Sequence, residues 1–250
     1  MNEKTLQQMK HMKFFGMLRA FRTTMEGEQI KDYTPDEMVN FLVESEWDDR
    51  QNRKLERGIR NAKFRYKASI ENVIYNDKRN LLKNEVHRLA DCSFIDKKQN
   101  IIITGSTGVG KSYLASAIGH QACINGYRVI YSNTAKLISK LKMAKADGSY
   151  VRELLRIEKQ DLLILDDFGI QPFDTQGRAS IMEIIEDRHE KCSFIITSQV
   201  PVKQWHEVIG EKTIADAILD RIVHDAHRLE LKGESMRKTK SNELEIINED

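Results

Sequence analysis

The fold of this 250-residue chain is decided by the stretch Gly105-Ser106-Thr107-Gly108-Val109-Gly110-Lys111-Ser112. An apolar run, residues 101–104, leads into it, and a helix-compatible run, residues 113–123, follows it. The stretch fits G-x-x-x-x-G-K-[ST], in which glycines let successive backbone N–H groups point into one concavity at a helix N-terminus. Such a concavity binds phosphate, so the sequence predicts a nucleotide-binding P-loop.

Each part of the loop has a predicted contact with a nucleotide. Lys111 is expected to reach the β- and γ-phosphates and to act in catalysis, and the Ser112 hydroxyl is expected to ligate Mg²⁺. We therefore predict ATP and Mg²⁺ as cofactors. The predicted nucleotide-binding residues are Gly105, Ser106, Thr107, Gly108, Val109, Gly110, Lys111, Ser112 and Tyr113.

A second candidate element is the apolar run 162–165, which ends in Asp166 and Asp167. Ligands collect at the carboxyl ends of parallel strands. Asp166 is suited to hold Mg²⁺ through its water shell, and Asp167 to orient or deprotonate an attacking water. The next apolar run, 194–197, ends in Ser198 and Gln199. A polar side chain there suits placement of that water, although a turn-forming polar cluster has the same pattern.

Two arginines are candidates for neutralising charge on a transferred phosphoryl group. Arg221 lies at the end of a helix-like segment, and Arg237 lies near the end of the chain. An arginine finger in this role accelerates the reaction about 10³-fold or more. Arg221 follows Asp220, however, and an arginine beside an aspartate is more often a surface ion pair.

The first 70 residues are predicted to form a small all-α domain for DNA binding and assembly. Helices are expected over 6–22, over 35–49 after a Thr34 cap, and over 49–67. Between positions 50 and 67 there are eight basic residues and one acid, Glu56. So dense a cationic run favours contact with a polyanion over a merely solvated face. The candidate DNA contacts here are Arg50, Arg53, Lys54, Arg57, Arg60 and Lys63.

Residues 71–240 are predicted to form an α/β domain, followed by a tail over 241–250. Apolar strands alternate with helices, which favours a mostly parallel sheet covered on both faces. The expected strands are 101–104, 128–131, 162–165, 194–197 and 228–231, and the last alternates as an edge strand does. Helices are expected over 80–91, 134–146 and 150–160. The second of these carries two further candidate DNA contacts, Lys136 and Lys140.

Composition narrows the class of protein less than the motifs do. The net charge is +2 with 31% charged residues, so total charge argues neither for nor against nucleic acid. The three cysteines are widely spaced, which suits buried thiols in a reducing compartment. No signal segment opens the sequence and no apolar run approaches about 20 residues. We therefore expect a soluble cytoplasmic protein without a membrane partner.

Together these stretches resemble the AAA+ superfamily and, within it, the IstB family of ATP-binding helpers of insertion-sequence transposition. The resemblance is carried by the P-loop and by residues 44–53 (ESEWDDRQNR), 62–64 (AKF), 161–169 (DLLILDDFG), 196–199 (ITSQ), 205–207 (WHE), 215–221 (ADAILDR) and 231–238 (LKGESMRK). It implies that Asp166 is the Walker B metal acid and that Asp167 replaces the usual catalytic glutamate. Gln199 takes the sensor 1 position, where asparagine is commoner, with Ser198 as the alternative.

The same resemblance implies how the chain is organised. Arg221 matches the arginine finger that acts on a neighbouring subunit's nucleotide in a homo-oligomer, and Arg237 matches sensor 2. A five-stranded sheet in the order 5-1-4-3-2 is implied, with an initiator-type extra helix between the second and third strands. Only about twenty residues follow the last predicted strand, which is too few for the usual C-terminal helical lid.

The resulting hypothesis is an ATP-dependent helper of transposition. When ATP is bound, it assembles on duplex DNA with little sequence preference; it hydrolyses ATP with stimulation by DNA, and it recruits a transposase. The first alternative is a DnaC-type helicase loader, which acts on a replicative helicase and single-stranded DNA. The second is a small-molecule kinase, which leaves the paired acids, the helical leader and Arg221 without a role.

Overall fold

The computed structural model describes residues 2–27, 33–75 and 77–236. It divides into two compact units, Met1–Arg57 and Gly58–Asp250. The division falls inside a helix, and four apolar residues that follow it, Ala62, Ala68, Ile70 and Val73, are buried. The predicted sensor residue Arg237 and the predicted tail 241–250 lie outside the described residues.

The first unit is helical, as predicted, with different boundaries. Its elements are α1 (Asn2–His11), α2 (Phe15–Glu26) and most of α3 (Pro35–Ala62). The predicted helix 6–22 is wrong in its continuity, because Lys13 has a left-handed φ of 60° that separates α1 from α2. The two helices predicted over 35–67 are one, which stops at Lys63, where φ is 58°.

Side-chain hydrogen bonds stabilise the amino-terminal ends of α3 and α2. The predicted Thr34 cap forms, since Glu37 N–H donates to Thr34 Oγ1 and Thr34 N–H donates to Glu37 Oε2, a reciprocal capping box. Glu46 of α3 accepts from the N–H groups of Gly16 and Met17 in the first turn of α2. Those N–H groups have no partner within their own helix, so the Glu46 carboxylate satisfies donors that would otherwise be unpaired.

The second unit alternates strands and helices. Its helices are α4 (Lys83–Ala90), α5 (Ser93–Asp96), α6 (Lys111–Ile124), α7 (Thr134–Ala146), α8 (Tyr150–Glu158), α9 (Thr175–Arg188), α10 (Trp205–Ile209) and α11 (Lys212–Val223). Its strands are β1 (Asn100–Gly105), β2 (Val129–Asn133), β3 (Leu162–Asp166), β4 (Ser193–Ser198) and β5 (Ala226–Leu231). All five predicted strands are confirmed.

The five strands form one parallel sheet in the order β2-β3-β4-β1-β5, which is the predicted order 5-1-4-3-2. The alternating strand β5 lies at the edge, as predicted. Because all strands are parallel, their carboxyl ends meet at one edge of the sheet. That edge carries Gly105, Asn133, Asp166 and Ser198.

Helices cover both faces of the sheet. On one face, Ile102, Leu163 and Ile196 belong to a core that α7, α9 and α11 complete. On the other face, α6 approaches so closely that a Cβ at Gly119 would lie 2.6 Å from Ile164 Cδ1. After β5 the structure describes residues 232–236, of which only Met236 is helical, so these residues contain no helical lid.

The cysteines are free thiols; Cys92 and Cys123 are buried, whereas Cys192 is only half-buried. Burial raises the pKa of Cys92 to about 11 and the pKa of Cys123 to about 12. Both therefore stay protonated and unreactive near neutral pH, as expected for thiols that fill a core. None of the helices in the described ranges is both long and apolar enough to cross a membrane.

Candidate functional site

The predicted P-loop connects β1 to α6, which begins at Lys111 with Gly110 as its N-cap. Gly108 and Gly110 have φ values of 86° and 98°, a region that side chains rarely adopt. A Cβ at Gly105 would lie 2.3 Å from the Leu231 carbonyl oxygen of β5. Lys111 is almost fully buried, and its Nζ donates to the Ser106 carbonyl at 2.8 Å. The loop thus surrounds its own lysine and leaves the helix N-terminus open as an anion site.

Asp166, at the end of β3, is fully buried and accepts four hydrogen bonds from side chains. Ser112 Oγ donates to its Oδ1 at 2.7 Å, and Thr197 Oγ1 donates to the same oxygen at 2.5 Å. Tyr131 OH and Arg65 Nη1 donate to Oδ2, the latter at 3.3 Å. Burial raises the pKa of Tyr131, so its phenol keeps the proton that it donates. The predicted metal pair, Ser112 and Asp166, is therefore in direct contact.

Asp167 differs from its neighbour in that its side chain is 20% exposed and its φ is 58°. Its Oδ2 accepts from Asn133 Nδ2 at 3.2 Å and from Arg65 Nη1 at 3.3 Å. Its backbone N–H donates to Thr197 Oγ1 at 3.1 Å. The left-handed backbone turns this carboxylate away from the buried position of Asp166 and into the cavity above the P-loop.

The two polar residues at the end of β4, Ser198 and Gln199, lie in different surroundings. Thr107 Oγ1 of the P-loop donates to Gln199 Oε1 at 2.5 Å, so Gln199 lies at the phosphate cradle. Ser198 is buried and donates to the Phe168 carbonyl at 2.6 Å, and it does not line the cavity. Of the two residues predicted from the sequence, only Gln199 reaches the site.

A cavity of about 410 Å³ lies beside the loop, within the size range of ligand sites. Its walls come from the P-loop and from the segment that precedes α4. Tyr66 and Tyr113 face each other there with ring centroids 6.2 Å apart. Arg79 Nη2 donates to the Val109 carbonyl at 2.7 Å and so ties the segment to the loop. The lining residues outside the predicted set are Arg65, Tyr66, Asn72, Val73, Ile74, Arg79, Leu114 and Met236.

Arg221 is not brought to this cavity. Its guanidinium pairs with Glu186 Oε2 at 2.7 Å, and its backbone carbonyl accepts from Asn100 Nδ2 at 3.4 Å. Asn100 begins β1 and Gly105 ends it, so Arg221 lies near the end of the strand opposite to the P-loop. At about 3.3 Å per residue, the two ends are separated by roughly 17 Å.

The candidate DNA contacts on α3 fall into two groups. Arg50 Nε pairs with Glu46 Oε1 at 2.7 Å, and Arg53 Nε pairs with Asp49 Oδ2 at 2.6 Å. Their guanidinium groups also lie over the rings of Phe14 and Phe15, so both arginines join α3 to the start of α2. The other four candidates are exposed, and no ion pair to another described residue is found for them. Lys54 and Arg57 lie in the first unit, and Arg60 and Lys63 lie in the second.

On α7, Lys140 pairs with Glu153, whereas Lys136 is exposed and has no ion pair to another described residue. The ion pairs of these three cations could not be predicted from the sequence. The acids that pair with Arg50 and Arg53 lie just before the basic run 50–67, and the acid that pairs with Lys140 lies on another helix. Among the site residues that the sequence analysis missed, Asn133 and Thr197 lie at or next to the carboxyl ends of β2 and β4, a signal that could have identified them. Tyr131 lies in the middle of β2 and Arg65 follows α3, where no such signal exists.

Comparisons with known proteins show the family to which the chain belongs. A family model described as IstB-like ATP binding protein matches residues 7–244. An insertion sequence ATP-binding protein of Sinorhizobium fredii, y4pL, is 42% identical over 234 residues, which cover 94% of this chain and 96% of that protein. The insertion sequence IS1162 ATP-binding protein of Pseudomonas fluorescens is 36% identical over 202 residues, 80% of this chain and 87% of its own.

Two solved structures share the fold. The DnaC helicase loader matches with a TM-score of 0.57 and 22% identity, over 68% of this chain and 100% of that chain. AMPPCP-bound DnaA from Aquifex aeolicus also matches with a TM-score of 0.57 and 22% identity, over 73% of this chain and 56% of that one. This chain therefore has the AAA+ P-loop fold and belongs to the family of IstB-like ATP-binding proteins, the ATP-binding helpers associated with insertion sequences.

Proposed function

We propose that this protein is an ATP-hydrolysing helper of transposition whose ATP-bound subunits assemble on duplex DNA and recruit a transposase. The observation that carries the proposal is the cluster of Ser112, Asp166 and Asp167 beside a P-loop in a chain whose relatives are insertion sequence ATP-binding proteins. The cytoplasm is the compartment that we assign, since free buried thiols and a DNA target both fit it.

The residues present fit a Mg²⁺–triphosphate. Mg²⁺ prefers oxygen ligands, and Ser112, which lines the cavity, places its Oγ 2.7 Å from an oxygen of the buried Asp166. We assign Ser112 and Asp166 to hold the metal, whose chemistry is to neutralise charge on the phosphates. Lys111 and the backbone N–H groups of the P-loop hold the phosphates themselves. We assign the aromatic rings of Tyr113 and Tyr66 to contact the adenine base of the nucleotide.

Hydrolysis is assigned to Asp167, the more exposed of the two adjacent acids. Asp167 faces the cavity and accepts hydrogen bonds on Oδ2, which leaves Oδ1 able to orient the attacking water and accept its proton. Gln199, held by Thr107, is the amide that we assign to position the same water. Arg221 lies too far from its own P-loop to act there, which supports action on the nucleotide of a neighbouring subunit in a head-to-tail assembly.

DNA binding is assigned to the cations left exposed by the fold: Lys54, Arg57, Arg60, Lys63 and Lys136. They suit contact with phosphates rather than with base edges, so binding is expected to depend on salt and little on sequence. Arg50, Arg53 and Lys140 already have acidic partners, and we assign the two arginines a supporting role in the first unit. Binding to a transposase is supported by the insertion sequence context of the relatives. The likeness to DnaC shows the fold alone and does not favour helicase loading.

The DNA assignment is tested by reversing two exposed charges. The variant Lys54→Glu/Arg57→Glu is expected to bind duplex at least about tenfold more weakly and to lower the slope of log affinity against log salt by about two. Fluorescence anisotropy with labelled duplex and single strand, each with ATP, with ADP and without nucleotide, measures both quantities. For the unaltered protein, tight duplex binding is expected with ATP only.

The matched control is Lys83→Glu/Arg88→Glu, which reverses two exposed cations of α4. It is expected to bind duplex as the unaltered protein does. Equal losses in the two double variants would show only a general charge effect and would remove the assignment to α3. Preference for single strands would favour the DnaC-type alternative, and equally tight binding in all nucleotide states would remove ATP gating.

A further inference from the structure

One cation in the site has no role in the mechanism assigned above. Arg65 Nη1 lies 3.3 Å from Asp166 Oδ2 and 3.3 Å from Asp167 Oδ2, so a single nitrogen bridges the two acids. Two adjacent carboxylates repel each other, and a cation between them offsets that repulsion. The Arg65 side chain is 42% exposed and lines the cavity together with Lys111 and Ser112. It therefore reaches the acids from the side on which a nucleotide would enter.

The backbone that carries Arg65 is anchored on both sides. Phe64 packs on α6, where its ring atom Cε1 would lie 2.7 Å from a Cβ at Gly119. Tyr66 lies against Tyr113 at the start of the same helix, and the Arg65 guanidinium lies 5.6 Å from the Tyr66 ring centroid. Because both neighbours are held by α6, Arg65 can leave the acids by rotation of its side chain, without movement of the segment.

All acceptor sites of the Asp166 carboxylate are occupied in the structure. An ionised carboxylate offers about four lone-pair sites, and those of Asp166 are filled by Ser112, Thr197, Tyr131 and Arg65. Thr197 and Tyr131 are neutral and buried in strands, and Ser112 can keep its hydrogen bond while its oxygen ligates a metal. Arg65 alone is charged, partly exposed and repelled by an incoming divalent cation. A hydrated metal that binds Asp166 therefore takes the place of Arg65.

We propose, on the basis of the function proposed above, that Arg65 is an internal counter-ion that occupies Asp166 and Asp167 in the nucleotide-free protein and is displaced when Mg²⁺ and a nucleoside triphosphate bind. While Arg65 remains in place, Asp167 is held by a cation and Asp166 has no free acceptor for metal-bound water. The site thus exchanges a cation of the chain for the cation of its ligand, and metal alone binds against this competition.

The experiment titrates Mn²⁺ into the nucleotide-free full chain and follows water-proton relaxation, which reports bound Mn²⁺ without turnover. Arg65→Gln is expected to bind Mn²⁺ about three- to fivefold more tightly than the unaltered protein, the upper part of the range for loss of a half-exposed ion pair. Lys67→Gln removes an exposed charge two residues away and is expected to stay within about twofold of the unaltered protein. Adding Asp166→Asn to Arg65→Gln is expected to abolish the gain.

Equal Mn²⁺ affinities in Arg65→Gln and the unaltered protein would overturn the proposal, as would equal gains in Arg65→Gln and Lys67→Gln. A gain that persists with Asp166→Asn would place the extra metal elsewhere and overturn it too. Thermal unfolding verifies that each variant is folded, and Arg65→Ala provides a second variant at the same position. Binding of a fluorescent ATP analogue with Mg²⁺ is measured in parallel. If the unaltered protein does not bind that analogue, the proposed function fails; if it does and only the Mn²⁺ difference is missing, the role of Arg65 alone fails.

Discussion

Asp167→Asn is expected to lower kcat for ATP hydrolysis by about 10²- to 10⁴-fold, the usual contribution of a general base, while the Kd for ATP stays within about twofold. The amide has the shape of the carboxylate and can still accept from Asn133, but it cannot take a proton from water. ATP-loaded subunits should then persist on duplex DNA. Phosphate release measures the rate, and a fluorescent ATP analogue measures the affinity.

The control for this variant is Asp91→Asn, which alters an exposed aspartate at the end of α4 outside the cavity and should leave both quantities unchanged. Asp166→Asn should differ from Asp167→Asn in one respect, because it weakens Mg²⁺-dependent nucleotide binding as well as turnover. Normal turnover in Asp167→Asn would show that another group accepts the proton.

Arg221→Ala is expected to lower the turnover of the assembled protein by about 10³-fold, the scale of an arginine finger. The ATP affinity of an isolated subunit should stay unchanged, because Arg221 lies at the end of β1 opposite to the P-loop. Glu186→Gln keeps the arginine but removes its ion-pair partner, so a smaller loss is expected. Turnover and ATP affinity are measured on the same preparations.

Mixing Arg221→Ala with Lys111→Ala tests whether the arginine acts across an interface. The first variant keeps a complete P-loop, and the second keeps Arg221. In a head-to-tail assembly with random mixing, about a quarter of the interfaces combine the two intact halves and should regain activity. Equimolar mixtures without any recovery, or full turnover by Arg221→Ala alone, would contradict the assignment.

Much of the fold could be predicted because its signals are local. The strands are short apolar runs, β5 alternates as an edge strand does, and the P-loop and Asp166 follow directly from runs that end in polar residues. The strand order came from the resemblance rather than from the residues. The break at Lys13 could not be predicted, since no glycine or proline marks it and only its backbone conformation separates α1 from α2.

The parts of the site that could not be predicted depend on contacts between residues far apart in sequence. Arg65 looked like one more cation in a basic helix, yet α3 stops before it and its guanidinium reaches acids about a hundred positions away. The ion pairs of Arg50 and Arg53 similarly depend on Glu46 and Asp49 facing the start of α2. A charge pattern indicates how many cations a helix carries but does not indicate which of them have partners.

We propose that a bound triphosphate joins subunits and that only the joined form holds duplex DNA. Sedimentation velocity of the full chain with Mg²⁺, a long duplex, and either ATP or ADP tests it most directly, with Asp167→Asn used to prevent turnover. We expect a complex of several subunits on the duplex with ATP and free monomers with ADP. A protein that stays monomeric with ATP, Mg²⁺ and duplex all present would contradict it.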